Sequence, residues 1–322
     1  MTPIESPIYI SRYQLKARKS LNAVSSRRIF DGVLIRIDDG YGCIHPWTEL
    51  GDPPLEKCLA DLADARRWPI VRRAIRCAEY DRAARQFEHS LFEDMEVPQS
   101  HATLAFMNAA ELETAIEAGF STIKLKCGRD TQSEIKFLDE MSAAFSSLRW
   151  RLDFNESLSP DAAADFITGL GEKTRAAIDF IEDPCPYSDA SWHALHQKTR
   201  VPLAVDREAS TQSSSAQVMV IKPAIDEPFL LAEAAIVHRQ KVVLTSYMDH
   251  PVGQAFAAWE AARLGLQFPG LPGLCGLQTH HLFEPDEFTE CLGAWSPDFT
   301  VPAGNGLGFD DLLDALPWTR LH

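Results

Sequence analysis

The 322-residue chain is long enough for one large domain or two, and its 45% hydrophobic and 24% charged content is ordinary for a globular protein. A formal net charge of −15 argues against nucleic acid and anionic membrane surfaces as partners. It leaves room for a small anionic substrate, because a local site can be positive in an acidic protein.

The seven cysteines are an odd number with no Cys-x-x-Cys pair, which suggests neither a disulfide framework nor a zinc knuckle. Scattered thiols fit a reducing cytoplasm, and the chain does not open with a basic segment followed by an apolar run, so a cytoplasmic location is expected. The longest uncharged run, Leu264 to Phe283, is broken by glycine, proline, glutamine and histidine. It reads as loop, and no membrane insertion is expected.

In chain order, Ile8–Leu15 and Gly32–Ile37 read as two short strands joined by a polar loop, with Asp39-Gly40 as a turn. Gly42 to Pro54, rich in Gly, Pro and Trp and without a period, reads as an ordered loop. Leu55–Arg66 and Pro69–Phe87 read as helices, with Val71, Ala74, Ile75 and Ala78 at helical spacing in the second. Residues 1–98 are thus expected to form an α+β unit. From His101 the texture changes. Apolar runs at Ala102–Met107, Ile123–Cys127, Trp150–Phe154, Phe180–Glu182, Leu203–Asp206, Val218–Lys222 and Val242–Ser246 alternate with helical stretches, and a weaker eighth lies within Gly270–Thr279. Such alternation over about 200 residues predicts an α/β fold, a (β/α)8-type barrel across residues 99–299, rather than an open sheet. The glycine-rich tail, residues 300–322, is expected to return to the first unit.

Several of these strands end in charge. In a parallel barrel all strand C-termini lie at one face, so Asp153, Glu182 and Asp206 should converge from three successive strands. Any one of them could simply cap the following helix. Three together repel unless a cation sits among them, and hard oxygen ligands suit Mg²⁺. Asp183 is the rival to Glu182; Glu182 is preferred because it closes the apolar run. Lys124 and Lys126 share one face of the preceding strand, and Lys222 ends the strand after Asp206. A lysine near a divalent cation and a second lysine can lose its proton near neutral pH and act as a base. A carbon acid beside a carboxylate needs such a base and such a cation.

Lys-x-Lys at 124–126, Asp-x-Asn at 153–155, Glu-Asp-Pro at 182–184, the strand-end Asp206 and Ile-Lys-Pro at 221–223 resemble the muconate-lactonizing branch of the enolase superfamily, in order and spacing, over most of the chain. Within that branch the sequence is most similar to the o-succinylbenzoate synthase family. This rests on Arg151 before the Leu-Asp-x-Asn, on Ala74–Arg85, on Thr245–Gly253 and on the Gly306–Asp310 tail. The resemblance implies a modified TIM barrel with an N-terminal capping domain. It implies Mg²⁺, replaceable by Mn²⁺, on Asp153, Glu182 and Asp206. Lys126 is the implied acid/base and Lys222 the opposing cation, with Lys124, Asn155 and Arg151 in support. Thr245, Ser246 and Gly276 are implied to lie near the carboxylates of a small anionic substrate. The implied reaction is syn β-elimination of water to form o-succinylbenzoate in menaquinone biosynthesis. Racemisation of an N-succinylamino acid or a cycloisomerisation would use the same residues, and a non-catalytic metal- or ligand-binding barrel is the reading from another class.

Departures exist. Gly42-Cys43-Ile44-His45 stands where many relatives carry Gly-x-Gly-Glu, and no Asp-x-Asp pair ends the eighth strand, which counts against dipeptide epimerisation. A lid is expected from Lys19–Val24 and Cys43–Gly51. For His45 two readings stand, contact with substrate and the preferred one of packing on Trp47; His280-His281 is expected to be structural, and Arg72-Arg73 to be solvated charges.

Overall fold

The computed structural model describes residues 6–19, 21 and 27–321. The first unit is a sheet of β1 (Ile8–Lys16), β2 (Ile29–Ile37) and β3 (Gly40–Ile44) packed on α1 (Leu55–Ala63) and α2 (Pro69–Gln86). The strands are antiparallel neighbours, with Ile10 opposite Ile35 and Val33 opposite Ile44. The third strand corrects the sequence reading, which took these glycines for loop. They are glycines because α2 passes directly over them: a Cβ at Gly40 would lie 2.0 Å from the Ala78 carbonyl oxygen, and one at Gly42 would lie 2.2 Å from that of Ala74. Close backbone approach, not turn formation, demands them.

The second unit is a seven-stranded parallel sheet in unbroken sequence order. It runs β4 (Ala102–Leu104), β5 (Thr122–Lys126), β6 (Arg149–Asp153), β7 (Ile178–Glu182), β8 (Leu203–Val205), β9 (Val218–Ile221) and β10 (Lys241–Leu244). Helices α3 (Ala109–Glu117), α4 (Thr131–Ala144), α5 (Pro160–Gly169), α6 (Glu172–Ala177), α7 (Asp189–Thr199), α8 (Pro228–Val237) and α9 (Pro251–Gln267) connect the strands, with α5 and α6 both between β6 and β7 and β8 running to β9 through a loop. Several begin on a side chain that accepts from their free N–H groups: Asn108 for α3, Asp130 for α4, Ser159 for α5 and Ser188 for α7. The ring is completed by the expected weak eighth run. There Cys275 bridges Ser100 on one side and Gly276 bridges Thr245 on the other. The fold is a (β/α)8-type barrel, a modified TIM barrel, under an antiparallel cap.

After α10 (Glu287–Cys291) and α11 (Asp310–Asp314), the chain ends in β11 (Thr319–Arg320), which pairs with β1. Asp81 of α2 binds this return. Its carboxylate accepts from the backbone N–H of Leu307 at 2.7 Å and of Tyr41 at 2.9 Å, and Arg85 links it on to Asp310. The two motifs at Ala74–Arg85 and Gly306–Asp310 are therefore one contact. Arg73 corrects another expectation. It is 4% exposed, not solvated, and its guanidinium donates to the Pro223 carbonyl at 2.9 Å and to Glu260 at 2.5 Å. It thereby ties α2 to the barrel beside Lys222.

Candidate active site

Parallel pairing sets the lysines and acids in register. Lys126 pairs with Asp153, and Asp153 with Glu182. Beyond β6 and β7 the ladder continues for one residue: Phe154 N–H donates to the Glu182 carbonyl and Asp183 N–H to that of Ala204. Asn155 (φ 49°) and Asp183 (φ 42°) then turn through left-handed backbone. Such conformations cost free energy in a non-glycine residue and gather at sites.

The ammonium of Lys124 bridges two acids, at 2.6 Å from Glu182 Oε1 and 3.1 Å from Asp153 Oδ2. The other oxygen of Asp153 accepts from the Asn155 side-chain amide at 2.8 Å and its backbone N–H at 3.1 Å. Lys222 donates to Asp206 Oδ2 at 2.5 Å. Lys126 has no ion pair or hydrogen bond among the described residues, yet it lines the same cavity as Lys124, Asp153, Asn155, Asp206 and Lys222. Burial opposes charge on all three lysines. For Lys124 the facing Asp153 and Glu182 outweigh it, and for Lys222 Asp206 does, so both ammonium groups are held above their usual range. For Lys126 burial prevails, opposed by Asp153 and aided by the charge of Lys124, and its pKa is lowered. Glu182 is pushed up by burial against the pull of Lys124.

Oxygens of Glu182, Asp183 and Asp206 lie within 4.8 Å of one another. Asp183 is already engaged: its two oxygens accept from the backbone N–H groups of Asp206 at 3.1 Å and Arg207 at 3.0 Å, so it shapes the end of β8. Asp206 Oδ1 is buried with no hydrogen-bond partner. A buried, unpartnered carboxylate oxygen among further carboxylates fits a hard divalent cation.

Thr245, Ser246 and Gly276 line the cavity, and Ser246 shares a hydrogen bond of 2.7 Å with Thr279. Arg151 is 3% exposed beneath the wall, held by Asp179 at 2.8 Å and the Leu274 carbonyl at 2.9 Å. From the cap, Trp47 and Leu50 reach the cavity. Trp47 donates to the Tyr247 carbonyl at 2.7 Å, and Tyr247 donates to Asp52 at 2.9 Å. The Cys43–Gly51 stretch is thus latched to the barrel. Most of Lys19–Val24, the other lid segment, falls outside the described residues. His45 packs edge-on against Trp47 at 5.7 Å between ring centroids, away from the cavity, and His281 stacks on Trp295 at 4.2 Å. Sequence reasoning missed His101, which lies two residues before Thr103 on the same strand face and lines the cavity with it. Its position before the first barrel strand was the available signal.

Comparison with known proteins agrees with this architecture. The family model described as "Enolase C-terminal domain-like" matches residues 108–226, and "O-succinylbenzoate synthase, N-terminal domain" matches residues 8–84. Among solved structures, an N-succinyl Arg/Lys racemase from Bacillus cereus superposes with a TM-score of 0.81 at 16% identity, covering 98% of this chain and 99% of the other. A dipeptide epimerase from Cytophaga hutchinsonii gives 0.80 at 16%, with the same coverage. These likenesses define the class, an enolase-superfamily barrel enzyme. An o-succinylbenzoate synthase from Bdellovibrio bacteriovorus is 32% identical over 98% of both chains, and one from Yersinia enterocolitica is 23% identical over 93% of both. The chain belongs to the o-succinylbenzoate synthase family, and it is an enzyme of the carbon–oxygen lyase class. Among the described residues no helix is long and apolar enough to cross a membrane.

Proposed function

We propose that this enzyme is a Mg²⁺-dependent hydro-lyase that forms o-succinylbenzoate by syn β-elimination of water, serving menaquinone biosynthesis in the cytoplasm. One observation carries the reading: of three lysines around the cavity, Lys124 and Lys222 are ion-paired, while Lys126 has no partner among the described residues and is depressed in pKa. A free, partly desolvated amine is what a general base near neutral pH requires. Asp153, Glu182 and Asp206 would hold the metal, with Asn155 fixing the Asp153 carboxylate. When bound, Mg²⁺ (or Mn²⁺ in its place) supplies positive charge to the substrate carboxylate and makes the adjacent C–H more acidic.

Lys126 Nζ accepts that proton as the C–H bond breaks. The same ammonium then gives it to the hydroxyl on the neighbouring carbon as the C–O bond breaks, and water leaves. One group acting on one face makes the elimination syn. Lys222, kept charged by Asp206, balances the negative charge that develops on the substrate. Lys124 holds Asp153 and Glu182 and adds positive potential that, with burial, lowers the pKa of Lys126. Thr245, Ser246 and Gly276 form the substrate-binding wall, with Arg151 behind it. In this reading the cap, residues 1–98, sets specificity through Trp47 and Leu50, the barrel, residues 99–299, carries the chemistry, and the tail, residues 300–322, couples them.

The test is turnover of succinyl-hydroxy-cyclohexadiene-carboxylate by the purified protein, with Mg²⁺ and after chelation. Dehydration that is lost on chelation and restored by Mg²⁺ is expected. A free lysine opposite a charged one also suits racemisation, so N-succinylamino acids are assayed in parallel. Racemisation without any dehydration overturns the proposal.

A further inference from the structure

We infer that His101 is a tautomer-locked hydrogen-bond donor to an oxygen of the substrate, and that Arg151 is the residue that locks it. The inference rests on the proposed reading of this cavity as a carbon-acid site and names the ligand chemistry that one part of its wall accepts.

His101 is 3% exposed and lines the cavity. Its Nδ1 lies 2.7 Å from Arg151 Nη1. A guanidinium can only donate, so Nδ1 must present its lone pair. Burial and the neighbouring charges of Arg151 and Lys124 keep the ring neutral. A neutral imidazole with a bare Nδ1 carries its proton on Nε2. Nε2 has no hydrogen bond among the described residues, and it lies on the side of the ring that meets Gly276. A Cβ at Gly276 would stand 2.9 Å from Nε2 and 2.7 Å from Cε1, so glycine there makes the space into which the ring fits.

Arg151 itself is 3% exposed and is not among the residues that line the cavity. Its Nε donates to Asp179 and the second N–H of Nη1 to the Leu274 carbonyl, and its Cζ lies over Phe180 at 4.6 Å from the ring centroid. It acts through His101, as a positioning residue. This part of the wall therefore offers a fixed N–H backed by positive charge. It suits a carboxylate or ketone oxygen and repels an ammonium group. A ligand of the proposed class carries both kinds of oxygen on its succinyl arm, whereas a ligand with a free amine at that end would leave the donor unpaired.

The test uses ¹⁵N-histidine-labelled full-length enzyme with Mg²⁺, titrated with o-succinylbenzoate. In the free enzyme the His101 ring should be neutral with the proton on Nε2, and that resonance should move on binding. His101→Asn, which removes a donor at the Nε2 position, should weaken binding about ten-fold or more, as expected for a hydrogen bond to a charged group. His101→Gln, which restores a donor near it, should recover most of that loss. Arg151→Met should populate the second tautomer, a change that a merely structural arginine would not produce. A proton on Nδ1 in the wild type overturns the inference. So does an unmoved Nε2 resonance together with wild-type affinity in His101→Asn. If o-succinylbenzoate does not bind at all, the proposed function fails instead. The same titration with an N-succinylamino acid then decides His101 alone, by whether Nε2 moves.

Discussion

At the scale of single residues, burial decides what the charged groups do. Asp249 is 2% exposed, its Oδ1 has no hydrogen-bond partner, and burial pushes its carboxyl up to about 7. The unfolded chain would release that proton near the ordinary value of 3.8. Between those values the folded state holds a proton that the unfolded state has lost. This residue therefore removes stability as pH rises across that interval, and its effect is level above it. Asp249→Asn should gain Tm relative to wild type as the buffer moves from about pH 5 to about pH 8. A gap that does not change with pH would contradict the assignment. Gly276 is a second case. Alanine there would meet His101 at 2.7 Å and Thr245 at 2.8 Å. Gly276→Ala should fold, because the φ at this position is not left-handed, but should lower kcat/KM on the proposed substrate by displacing both neighbours. Unchanged kinetics would contradict the packing argument.

At the scale of elements, β5 owes its aim to the loop that follows it. Glu134, 1% exposed on α4, accepts from the backbone N–H of Gly128 at 3.0 Å, Arg129 at 2.9 Å and Asp130 at 3.3 Å. This fixes the chain two residues past Lys126. Glu134→Ala strands those donors and should cost about 3 kcal/mol in urea unfolding, with Glu134→Gln milder because it keeps one acceptor oxygen. Elements of this kind were legible in the sequence where their pattern was local. The apolar runs ending in Asp153, Glu182 and Lys222 announced parallel strands with charge at one face. Gly40 and Gly42 were misread because the cause of those glycines lies in the carbonyls of a helix more than thirty residues later. His101 was missed for a similar reason, since its meaning comes from Arg151, fifty residues away.

At the scale of the whole molecule, cap and barrel are joined by buried charge as well as by apolar packing. Arg73 alone reaches Pro223, Glu227 and Glu260, and Glu260 is itself 1% exposed. Arg73→Ala leaves that carboxylate buried and without its main partner, at a cost of about 3–5 kcal/mol in urea unfolding. Because Pro223 follows Lys222, turnover should fall as well; a loss under about 1 kcal/mol would mean the pair is solvated after all. In a charge-rich helix, nothing in the sequence marks which arginine turns inward, so this coupling was not legible in advance.

The central claim is that Lys126 is the base. It is tested most directly by following exchange of the substrate α-proton with deuterated solvent in the wild type, in Lys126→Ala and in Lys222→Ala, each with Mg²⁺. The wild type should exchange and dehydrate, and Lys126→Ala should lose both by about 10²–10⁴-fold, the range of a general base. Lys222→Ala should be slowed while its residual exchange still depends on Lys126. Full exchange in Lys126→Ala would contradict the account.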